Sequence, residues 1–336
     1  MSAAPLPETD VPTVERHLPA DFLDRALRAD ARRGLTADPK WLPPKWFYDA
    51  AGSELFERIT RLPEYYPTRA EREILAERSA EIAAIARART LVELGSGSSE
   101  KTRLLLSALG AEGSLRAYVP ADVSESALVA AAAGLRADFP GLLVRPMVMD
   151  FEHQLDRLPR DPARLVVFLG GTIGNLEPEQ RRLFLAAVRA SLGAGDALLL
   201  GTDLVKSPDV LVPAYADAAG VTAAFNRNVL SVLNRELGAD FDLAAFAHRA
   251  VWDPRAEWIE MRLRSVRPQL VHVPALALDV SFAEGEELRT EISAKFTRDG
   301  LERELAGAGL VVDRWWTDAA GRFALSLSRP SADVRA

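Results

Sequence analysis

A glycine-rich segment at residues 92–102, VELGSGSSEKT, carries the clearest chemical signal in the sequence. A short apolar strand is predicted at 91–94 and a helix at 100–109, so Gly95 and Gly97 lie in the turn between them. Glycines at such a turn let a ligand approach the backbone, and the start of the helix offers free N–H groups. Dinucleotides, nucleoside triphosphates and S-adenosylmethionine are three ligand classes that bind at turns of this kind.

The charged residues of this segment favour one of these ligand classes. A dinucleotide fingerprint needs a third glycine where Glu100 stands, and a phosphate loop needs its second glycine at the same position. A carboxylate there, with Glu93 at the strand end, repels a polyphosphate. A ligand with a sulfonium and an ammonium suits the turn better, and Glu-x-Gly-x-Gly is the usual first motif of S-adenosylmethionine-dependent methyltransferases. A tight turn with a purely structural role is the alternative.

Two further strand ends carry carboxylates that suit the same ligand. Asp122 follows the second predicted strand, where a carboxylate can accept hydrogen bonds from both ribose hydroxyls. Asp150 follows the third, where it can accept from the adenine amine while Phe151 packs on the ring. Each also has a structural alternative, because Asp122 can precede the helix that Ser124 caps and Asp150 can form a strand-end turn. The combination of three such strand ends favours ligand binding.

Short apolar strands alternate with helices through much of the chain, which is typical of a parallel sheet covered on both faces. Strands are predicted at 91–94, 115–121, 142–149, 165–169, 197–202, 310–316 and 323–328. Pro146 predicts an edge or bulged position in the third strand. Helices are predicted at 21–33, 53–61, 100–109, 124–137, 178–192, 301–308 and from Thr68, which forms a capping-box pattern with Glu71. We therefore predict an α/β protein with a Rossmann-like, seven-stranded class I methyltransferase sheet whose last strand is antiparallel.

The alternation breaks after Leu204. Residues 209–250 have a helical pattern, and strands are predicted further on at 257–266, 269–273 and 278–282. We expect this insertion to form a second, α+β substrate-binding lobe together with the N-terminal helices. The predicted division is 70–204 plus 291–336 for the S-adenosylmethionine-binding domain, 13–69 plus 205–290 for the substrate-binding lobe, and 1–12 for a flexible tail.

Composition argues against several other chemistries. The 336 residues include no cysteine, which excludes a disulfide framework, a thiolate metal site and a cysteine nucleophile. The four histidines are scattered, so no metal is expected. A net charge of −7 without a basic stripe argues against a nucleic-acid partner. The apolar runs are strand-sized and no targeting segment is recognised, so we expect a cytoplasmic protein that does not cross a membrane.

Several longer stretches resemble the histidine Nα-methyltransferases of ergothioneine biosynthesis. The likeness extends over about residues 34–329, nearly the whole chain. It is carried by LPPKWFYD (42–49), TRLPEYYPTR (60–69), the glycine-rich segment 92–102, FLGGTIGNL (168–176), residues 200–206, residues 218–237 with AAGVTAAFNRNVL, and WWTD (315–318). Runs as long as these are highly specific.

This resemblance implies three methyl transfers from S-adenosylmethionine to the α-amine of L-histidine, through mono- and dimethylated intermediates to the betaine hercynine. It implies S-adenosylmethionine contacts at Tyr48, Gly95, Lys101, Asp122, Asp150 and Phe151. It implies substrate contacts at Tyr65, Asn175, Tyr215, Glu291 and Ser293. Tyr48 and Asn175 are the predicted catalytic residues, with Tyr48 or a water chain accepting the proton of the amine. The resemblance also favours a monomer.

These residue types suit an amino acid substrate, although each has an ordinary structural explanation as well. The Asn175 amide can donate to a carboxylate and accept from an amine, but loop asparagines also cap helices. Tyr65 and Tyr215 can donate, yet a lone tyrosine more often packs. Glu291 and Ser293 face one side of a strand and can hold imidazole N–H groups. A methyltransferase for another amino acid or a protein N-terminus is one alternative function, and a non-enzymatic nucleotide-binding module is another.

Overall fold

Strands from nearly the whole chain form one central sheet in the computed structural model, which describes residues 14–97 and 99–331. The predicted tail at 1–12 lies outside the described residues. The strands are β1 (Glu15–Arg16), β2 (Thr90–Leu94), β3 (Ala117–Asp122), β4 (Leu143–Val144), β5 (Met147–Val148), β6 (Arg164–Phe168), β7 (Ala197–Asp203), β8 (Phe246–Asp253), β9 (Trp258–Ser265), β10 (Gln269–Val273), β11 (Leu278–Phe282), β12 (Glu287–Ala294), β13 (Leu310–Thr317) and β14 (Phe323–Pro330). The helices are α1 (Phe22–Leu35), α2 (Ala50–Ile59), α3 (Pro67–Ala86), α4 (Thr102–Ala111), α5 (Glu125–Asp138), α6 (Pro178–Ser191), α7 (Pro208–Tyr215), α8 (Val221–Leu237) and α9 (Arg298–Gly307). Short 3₁₀ turns lie at Pro44–Phe47, Leu155–Arg157, Thr172–Asn175, Leu243–Ala245 and Pro274–Leu276.

The central sheet has the order β1-β5-β3-β2-β6-β7-β14-β13, with β4 beside β5 on β3. The strands up to β7 pair in parallel, whereas β14 is antiparallel to both β7 and β13. β4 and β5 are two halves of the predicted third strand, interrupted at Arg145-Pro146 because proline cannot donate to the ladder. Counted as one strand, they complete the predicted seven-stranded, Rossmann-like sheet, which is thereby confirmed. The two-residue strand β1 is an addition at the edge.

Helices cover both faces of this sheet, because neighbouring side chains of each strand point to opposite faces. In β6, Leu165 and Val167 belong to the hydrophobic cluster with α3 and α4. Val166 and Phe168 belong to the cluster with α6 and α9. All four side chains are almost completely buried. The parallel arrangement brings the carboxyl ends of β2, β3, β5 and β6 to one edge of the sheet.

A further hydrophobic cluster takes its fully buried residues from two stretches of the described chain, 27–66 and 211–288. Its sheet has the antiparallel order β12-β9-β8, and β10 and β11 form a hairpin. The helical structure predicted over 209–250 is confirmed for α7 and α8 and is wrong at β8. Gly220 and Gly238, with φ of 72° and 65°, lie at the two ends of α8, and the chain then forms strand β8. Glycine adopts this left-handed conformation readily and so terminates a helix.

Helix α3 begins one residue earlier than predicted, at Pro67, and the predicted capping box between Thr68 and Glu71 is wrong. Proline suits the first helical position because it has no N–H to leave unpaired and its φ is already helical. Glu71 therefore lies inside the helix, where its side chain is fully buried. The predicted cap of α5 is confirmed, since the Ser124 hydroxyl accepts a hydrogen bond from the Ala127 N–H.

Residues 14–97 and 99–331 lack two other kinds of structural feature. No helix in these ranges is long and apolar enough to cross a bilayer. The same residues contain no group of three or more histidine, aspartate or glutamate side chains arranged to hold a metal ion.

Candidate active site

The glycine turn (residues 95–97) has a backbone conformation that few other residues adopt. Gly95 and Gly97 have φ of 66° and 48°, in the left-handed region. The turn leads from β2 towards α4, which begins two residues later than predicted. Glu93 accepts hydrogen bonds from the hydroxyls of Thr102 and Tyr118, and burial raises the pKa of this carboxyl to about 7. Glu93 therefore braces the turn from within the protein.

Asp122 connects the end of β3 to the glycine turn. Its carboxylate accepts hydrogen bonds from the backbone N–H groups of Gly97, at 3.1 Å, and Ser124, at 2.9 Å. A carboxylate has about four acceptor positions, so some remain for the two ribose hydroxyls of a nucleoside. Burial raises the pKa of Asp122, while these backbone donors act in the opposite direction.

Phe151 lies directly beside the glycine turn. A methyl group added to Gly95 would lie 3.6 Å from its ring, and the ring packs edge-on against Phe168 with centroids 5.2 Å apart. The neighbouring Asp150 carboxylate contacts Nδ1 of His153 at 2.9 Å. Open backbone, an acceptor for ribose and an aromatic ring thus lie together at one sheet edge, and this set of groups fits S-adenosylmethionine.

Lys101 forms an ion pair with the buried carboxylate of Glu71, a residue that was not predicted to belong to the site. Glu71 also accepts a 2.7 Å hydrogen bond from the Gly170 N–H, just after β6. A methyl group added to Gly170 would lie 3.7 Å from Nζ of Lys101. The ammonium group is therefore held near the end of β6. The spacing from Thr68 to Glu71 matches a capping box, so the sequence indicated a helix cap at Glu71 and gave no sign of its contact with Lys101.

Three tyrosines and a glutamate form the tyrosine cluster: Tyr48, Tyr65, Tyr215 and Glu291. Tyr65 packs edge-to-face on Tyr215 with ring centroids 6.3 Å apart. Burial raises the pKa of all three hydroxyls, and the charge of Glu291 contributes to the increase in each case. The glutamate therefore lies near every one of these hydroxyls. All three tyrosines are neutral hydrogen-bond donors at ordinary pH.

Tyr48 is the accessible member of the cluster, with 49% of its surface exposed. Its ring packs edge-to-face on Phe56 and Phe225, with centroid distances of 5.5 and 5.4 Å. Asn228 of α8 holds the segment in place, because its amide donates to the Phe47 carbonyl at 3.1 Å. An accessible ring whose hydroxyl interacts with a partly buried glutamate is the arrangement expected of a residue that lines a binding site.

Asn175 and Glu291 approach each other from two elements, the 3₁₀ turn after β6 and strand β12. The Asn175 amide donates a 2.9 Å hydrogen bond to the Ile292 carbonyl. Burial raises the pKa of Glu291 to about 7, although the charge of Lys295 and the Asn175 amide both act to lower it. Near neutral pH, Glu291 therefore exists in both protonation states.

Ser293 lies two residues beyond Glu291 on β12, and its hydroxyl is 2.8 Å from that of Tyr215. We call Tyr215 and Ser293 the hydroxyl pair. Lys295 donates to both hydroxyl oxygens at 2.8 Å and contacts the Asp203 carboxylate at 2.9 Å. Neither Lys295 nor Asp203 was predicted as a site residue. The two-residue spacing from Glu291 through Ser293 to Lys295 was the one available signal, since it keeps all three on one side of an extended chain.

The predicted site residues thus fall into two neighbouring groups. Gly95, Asp122, Asp150 and Phe151 gather around the glycine turn. Tyr48, Tyr65, Tyr215, Glu291, Ser293 and Asn175 gather around β12. The loop after β6 joins the two groups, because Gly170 contacts the carboxylate that binds Lys101 and Asn175 contacts β12.

Known proteins resemble this chain over most of its length. A family model described as histidine-specific methyltransferase, SAM-dependent, matches residues 27–330. A histidine N-alpha-methyltransferase of Mycolicibacterium smegmatis is 57% identical over 316 residues, which cover 94% of this chain and 98% of that protein. The histidine N-alpha-methyltransferase of Mycobacterium tuberculosis shows the same identity and coverage.

More distant matches extend the comparison. Ergothioneine biosynthesis protein 1 of Neurospora crassa is 29% identical over 287 residues, which cover 83% of this chain and 32% of that protein. A solved S-adenosylmethionine-dependent methyltransferase from Clostridium acetobutylicum aligns with a TM-score of 0.49 and 11% identity, over 83% of this chain and 99% of that one. On the family match and the two relatives at 57% identity, the chain belongs to the histidine-specific, S-adenosylmethionine-dependent methyltransferase family.

Proposed function

We propose that the protein transfers three methyl groups in succession from S-adenosylmethionine to the α-amine of L-histidine, giving hercynine in the first step of ergothioneine biosynthesis. One observation carries the proposal: Glu291, a partly buried glutamate, interacts with the Asn175 amide and with the hydroxyls of Tyr48, Tyr65 and Tyr215. A polar centre in aromatic surroundings suits an imidazole ring that carries an amino acid backbone. The names of the two relatives at 57% identity support the same substrate.

We assign the S-adenosylmethionine contacts to the group around the glycine turn and to Tyr48 of the group around β12. The Gly95 backbone, the Asp122 carboxylate and the Phe151 ring suit the adenosine part, with Asp150 beside the adenine. The ammonium of Lys101 suits the carboxylate of the methionine part. When bound, S-adenosylmethionine supplies a methyl group on a cationic sulfonium, which needs no further activation.

We assign the L-histidine contacts to the group around β12. Asn175 and Tyr215 hold the α-carboxylate and the amine, while Tyr65, Glu291 and Ser293 hold the imidazole. A glutamate whose pKa is about 7 can accept a hydrogen bond from an imidazole N–H in its ionised form. An apolar aromatic side chain would cover this acceptor and leave it unpaired, so the site selects against such amino acids.

The residues of the cluster must also present a neutral amine, because an ammonium has no lone pair with which to attack. Buried, aromatic surroundings disfavour the ammonium form. Tyr48 is our candidate for receiving the proton. Because burial raises the pKa of its hydroxyl, Tyr48 stays protonated. It can therefore take a proton from the amine only while it passes its own proton to water, so we assign it the role of a relay.

Each transfer leaves a bulkier cation on the nitrogen, and aromatic faces can accommodate that charge. The rings of Tyr48, Phe56 and Phe225 pack together, with centroids 5.4 to 5.9 Å apart. The Tyr48 ring is the accessible member of the tyrosine cluster. We propose that these three rings retain the mono- and dimethylated intermediates between transfers. Retention of this kind favours complete trimethylation over early release.

We further propose that the protein has two lobes. The central sheet and its two hydrophobic clusters form one lobe, and the cluster from residues 27–66 and 211–288 forms the core of the other. L-histidine would bind where the two lobes meet. Strand β12 pairs with β9 up to Ala294. We therefore place the end of the substrate-binding lobe after Ala294 and not at 290. We propose that the protein acts as a monomer in the cytoplasm. The absence of cysteine fits a reducing compartment, and light scattering on the purified protein tests the oligomeric state.

Incubation of the purified protein with S-adenosylmethionine and a panel of free amino acids and short peptides tests the proposed function. Mass spectrometry should show that L-histidine gains three methyl groups, whereas phenylalanine and tryptophan gain none at comparable rates. Methylation of a different amino acid or of peptide N-termini, with histidine unchanged, would establish an alternative substrate. No mass gain on any compound would contradict a methyltransferase that acts on these amines.

A further inference from the structure

Lys295 lies behind the proposed histidine site, and its ammonium group has three polar contacts, of which two are hydrogen bonds and one is an ion pair. Nζ donates to the Tyr215 and Ser293 hydroxyls, each at 2.8 Å, and contacts the Asp203 carboxylate at 2.9 Å. The Lys295 side chain is 0% exposed. An ammonium that is buried among three protein partners in this way does not contact a ligand directly. The contacts of Lys295 therefore reach a substrate through the hydroxyl pair, while its charge also lowers the pKa of Glu291.

The hydrogens and lone pairs of the hydroxyl pair can be counted. Each hydroxyl has one hydrogen to donate and two lone pairs that accept. Lys295 occupies one lone pair on each oxygen, and the 2.8 Å bond between the hydroxyls uses one hydrogen and one more lone pair. One hydrogen and one lone pair remain, and they lie on different residues. If Ser293 donates to Tyr215, then Tyr215 keeps a hydrogen for the ligand and Ser293 keeps a lone pair.

We propose that Lys295 is a positioning residue for substrate recognition. It orients the hydroxyl pair so that Tyr215 donates to the α-carboxylate of L-histidine and Ser293 accepts from an imidazole N–H. This inference rests on the proposed function, because it takes L-histidine as the ligand. Without Lys295, three lone pairs of the hydroxyl pair would be free and both hydroxyl groups could rotate. Free lone pairs that face an anionic carboxylate disfavour its binding. The positive charge behind the hydroxyls also strengthens them as donors to an anion.

The surroundings hold Lys295 in this position. Its partner Asp203 also accepts a 2.9 Å hydrogen bond from the Tyr66 hydroxyl and contacts Nζ of Lys206 at 2.6 Å. The carboxylate is thus also held by partners other than Lys295. The competing explanation is that Lys295 only compensates the buried charge of Asp203, and breaking such a pair at one partner is destabilising in itself. The experiment must separate these two roles.

The positioning role and the charge-compensating role of Lys295 can be separated by removing the charges of Lys295 and Asp203 together. The double variant Lys295→Met with Asp203→Asn is made in a Lys206→Met background, because Asp203 also neutralises Lys206. No unpaired buried charge is then left, so a purely structural Lys295 predicts the same histidine binding as in Lys206→Met alone. We compare it with Tyr215→Phe and with the triple variant, both in the same background. Calorimetry gives the dissociation constants of L-histidine and S-adenosylmethionine for each protein, and thermal melts establish that each is folded. The single variant Lys295→Gln keeps a neutral donor and serves as the conservative replacement.

The double variant should bind L-histidine about 10- to 100-fold more weakly than Lys206→Met alone, because a charge-assisted hydrogen bond is lost. S-adenosylmethionine should bind within about twofold of Lys206→Met, and the triple variant should lose little beyond either parent, because both changes remove the same contact. Lys295→Gln should lie between the wild type and the double variant. Histidine affinity close to that of Lys206→Met in the double variant would overturn the inference, as would losses that simply multiply in the triple variant. If the wild type itself does not bind L-histidine, the proposed function fails, and this inference fails with it.

Discussion

The Asn175 side chain donates a 2.9 Å hydrogen bond to the backbone carbonyl of Ile292, and this bond connects the turn after β6 with strand β12. The same loop contacts the Lys101–Glu71 ion pair through the N–H of Gly170. One loop therefore touches both the residues assigned to S-adenosylmethionine and those assigned to histidine. Because methyl transfer depends on alignment of two bound molecules, the packing of this loop should control the rate.

Gly174 tests that packing. A methyl group added there would lie 2.8 Å from the Ala294 carbonyl oxygen, so Gly174→Ala must push the turn away from β12. We expect kcat/KM for L-histidine to fall about 10-fold or more, since overpacking costs about 1–3 kcal/mol. Affinity for S-adenosylmethionine should change little. Gly110→Ala is the matched control, because nothing lies within 4 Å of the added methyl group. Equal behaviour of the two variants would show that the close approach has no role.

Glu291→Ala should weaken L-histidine binding about 10- to 100-fold, because the imidazole loses a charged hydrogen-bond acceptor. Binding of S-adenosylmethionine should stay largely intact, since its assigned contacts lie around the glycine turn. Titration calorimetry with each ligand measures both effects. Glu287→Gln, on the same strand but paired with Arg249 and Arg262, is the control. Equal loss of both ligands in Glu291→Ala would mean that Glu291 is structural.

The pKa of Glu291 also predicts how stability depends on pH. It is raised from about 4.5 to about 7 in the folded protein, so the folded state binds this proton more tightly than the unfolded state does. The free energy of unfolding that the folded protein gains by binding this proton is fully present below about pH 4.5. It is lost as the pH rises through about 7. Glu291→Gln cannot lose a proton, so its Tm should exceed that of the ligand-free wild type more at pH 8 than at pH 5. An equal difference at both pH values would contradict the raised pKa.

Tyr48→Phe keeps the ring but removes the hydroxyl that we assign to proton transfer. Packing on Phe56 and Phe225 should persist, so stability and retention of the methylated intermediates should change little. The rate of each transfer should fall about 100-fold, as is common when proton transfer is impaired. Quenched-flow mass spectrometry resolves the mono-, di- and trimethylated products over time. If neither the rate nor the distribution of intermediates changes, Tyr48 is not the relay.

Glu71→Gln removes the carboxylate that holds Lys101. We expect weaker binding of S-adenosylmethionine by about 10-fold, because a buried charged contact is lost and the ammonium is free to move. L-histidine affinity should be nearly unchanged. Glu77→Gln, at an exposed position of the same helix, is the matched control. If Glu71→Gln weakened the binding of L-histidine but left the binding of S-adenosylmethionine unchanged, the assignment of Lys101 would be contradicted.

Most of the central sheet could be predicted because its strands are short apolar runs buried on both faces, as at β6. Strand β8 could not. It pairs with β9 alone at the edge of a small sheet, and Phe246 is its one buried residue. A half-exposed edge strand has no continuous apolar run, and its alternation is weak, so residues 246–250 were assigned to a helix. Helix boundaries shifted by up to three residues, since α2 begins at Ala50 and α9 at Arg298 against predicted starts at 53 and 301.

The candidate site could be predicted where its residues stand at strand ends. Parallel strands bring Gly95, Asp122 and Phe151 to the same sheet edge whatever the details of packing. The contacts of Lys295 and Glu71 depend instead on partners far away in the chain. A lysine or glutamate in the sequence looks the same whether it is solvated or buried against an opposite charge, so no local pattern identified either residue.

The account is tested most directly by the position and number of methyl groups that the protein adds to L-histidine. The purified protein is incubated with excess S-adenosylmethionine and isotope-labelled L-histidine, and the product is analysed by NMR and fragmentation mass spectrometry. We predict three methyl groups, all on the α-nitrogen, with the imidazole unmodified. Methylation of the imidazole ring, or no methylated histidine at all, would contradict the central claim.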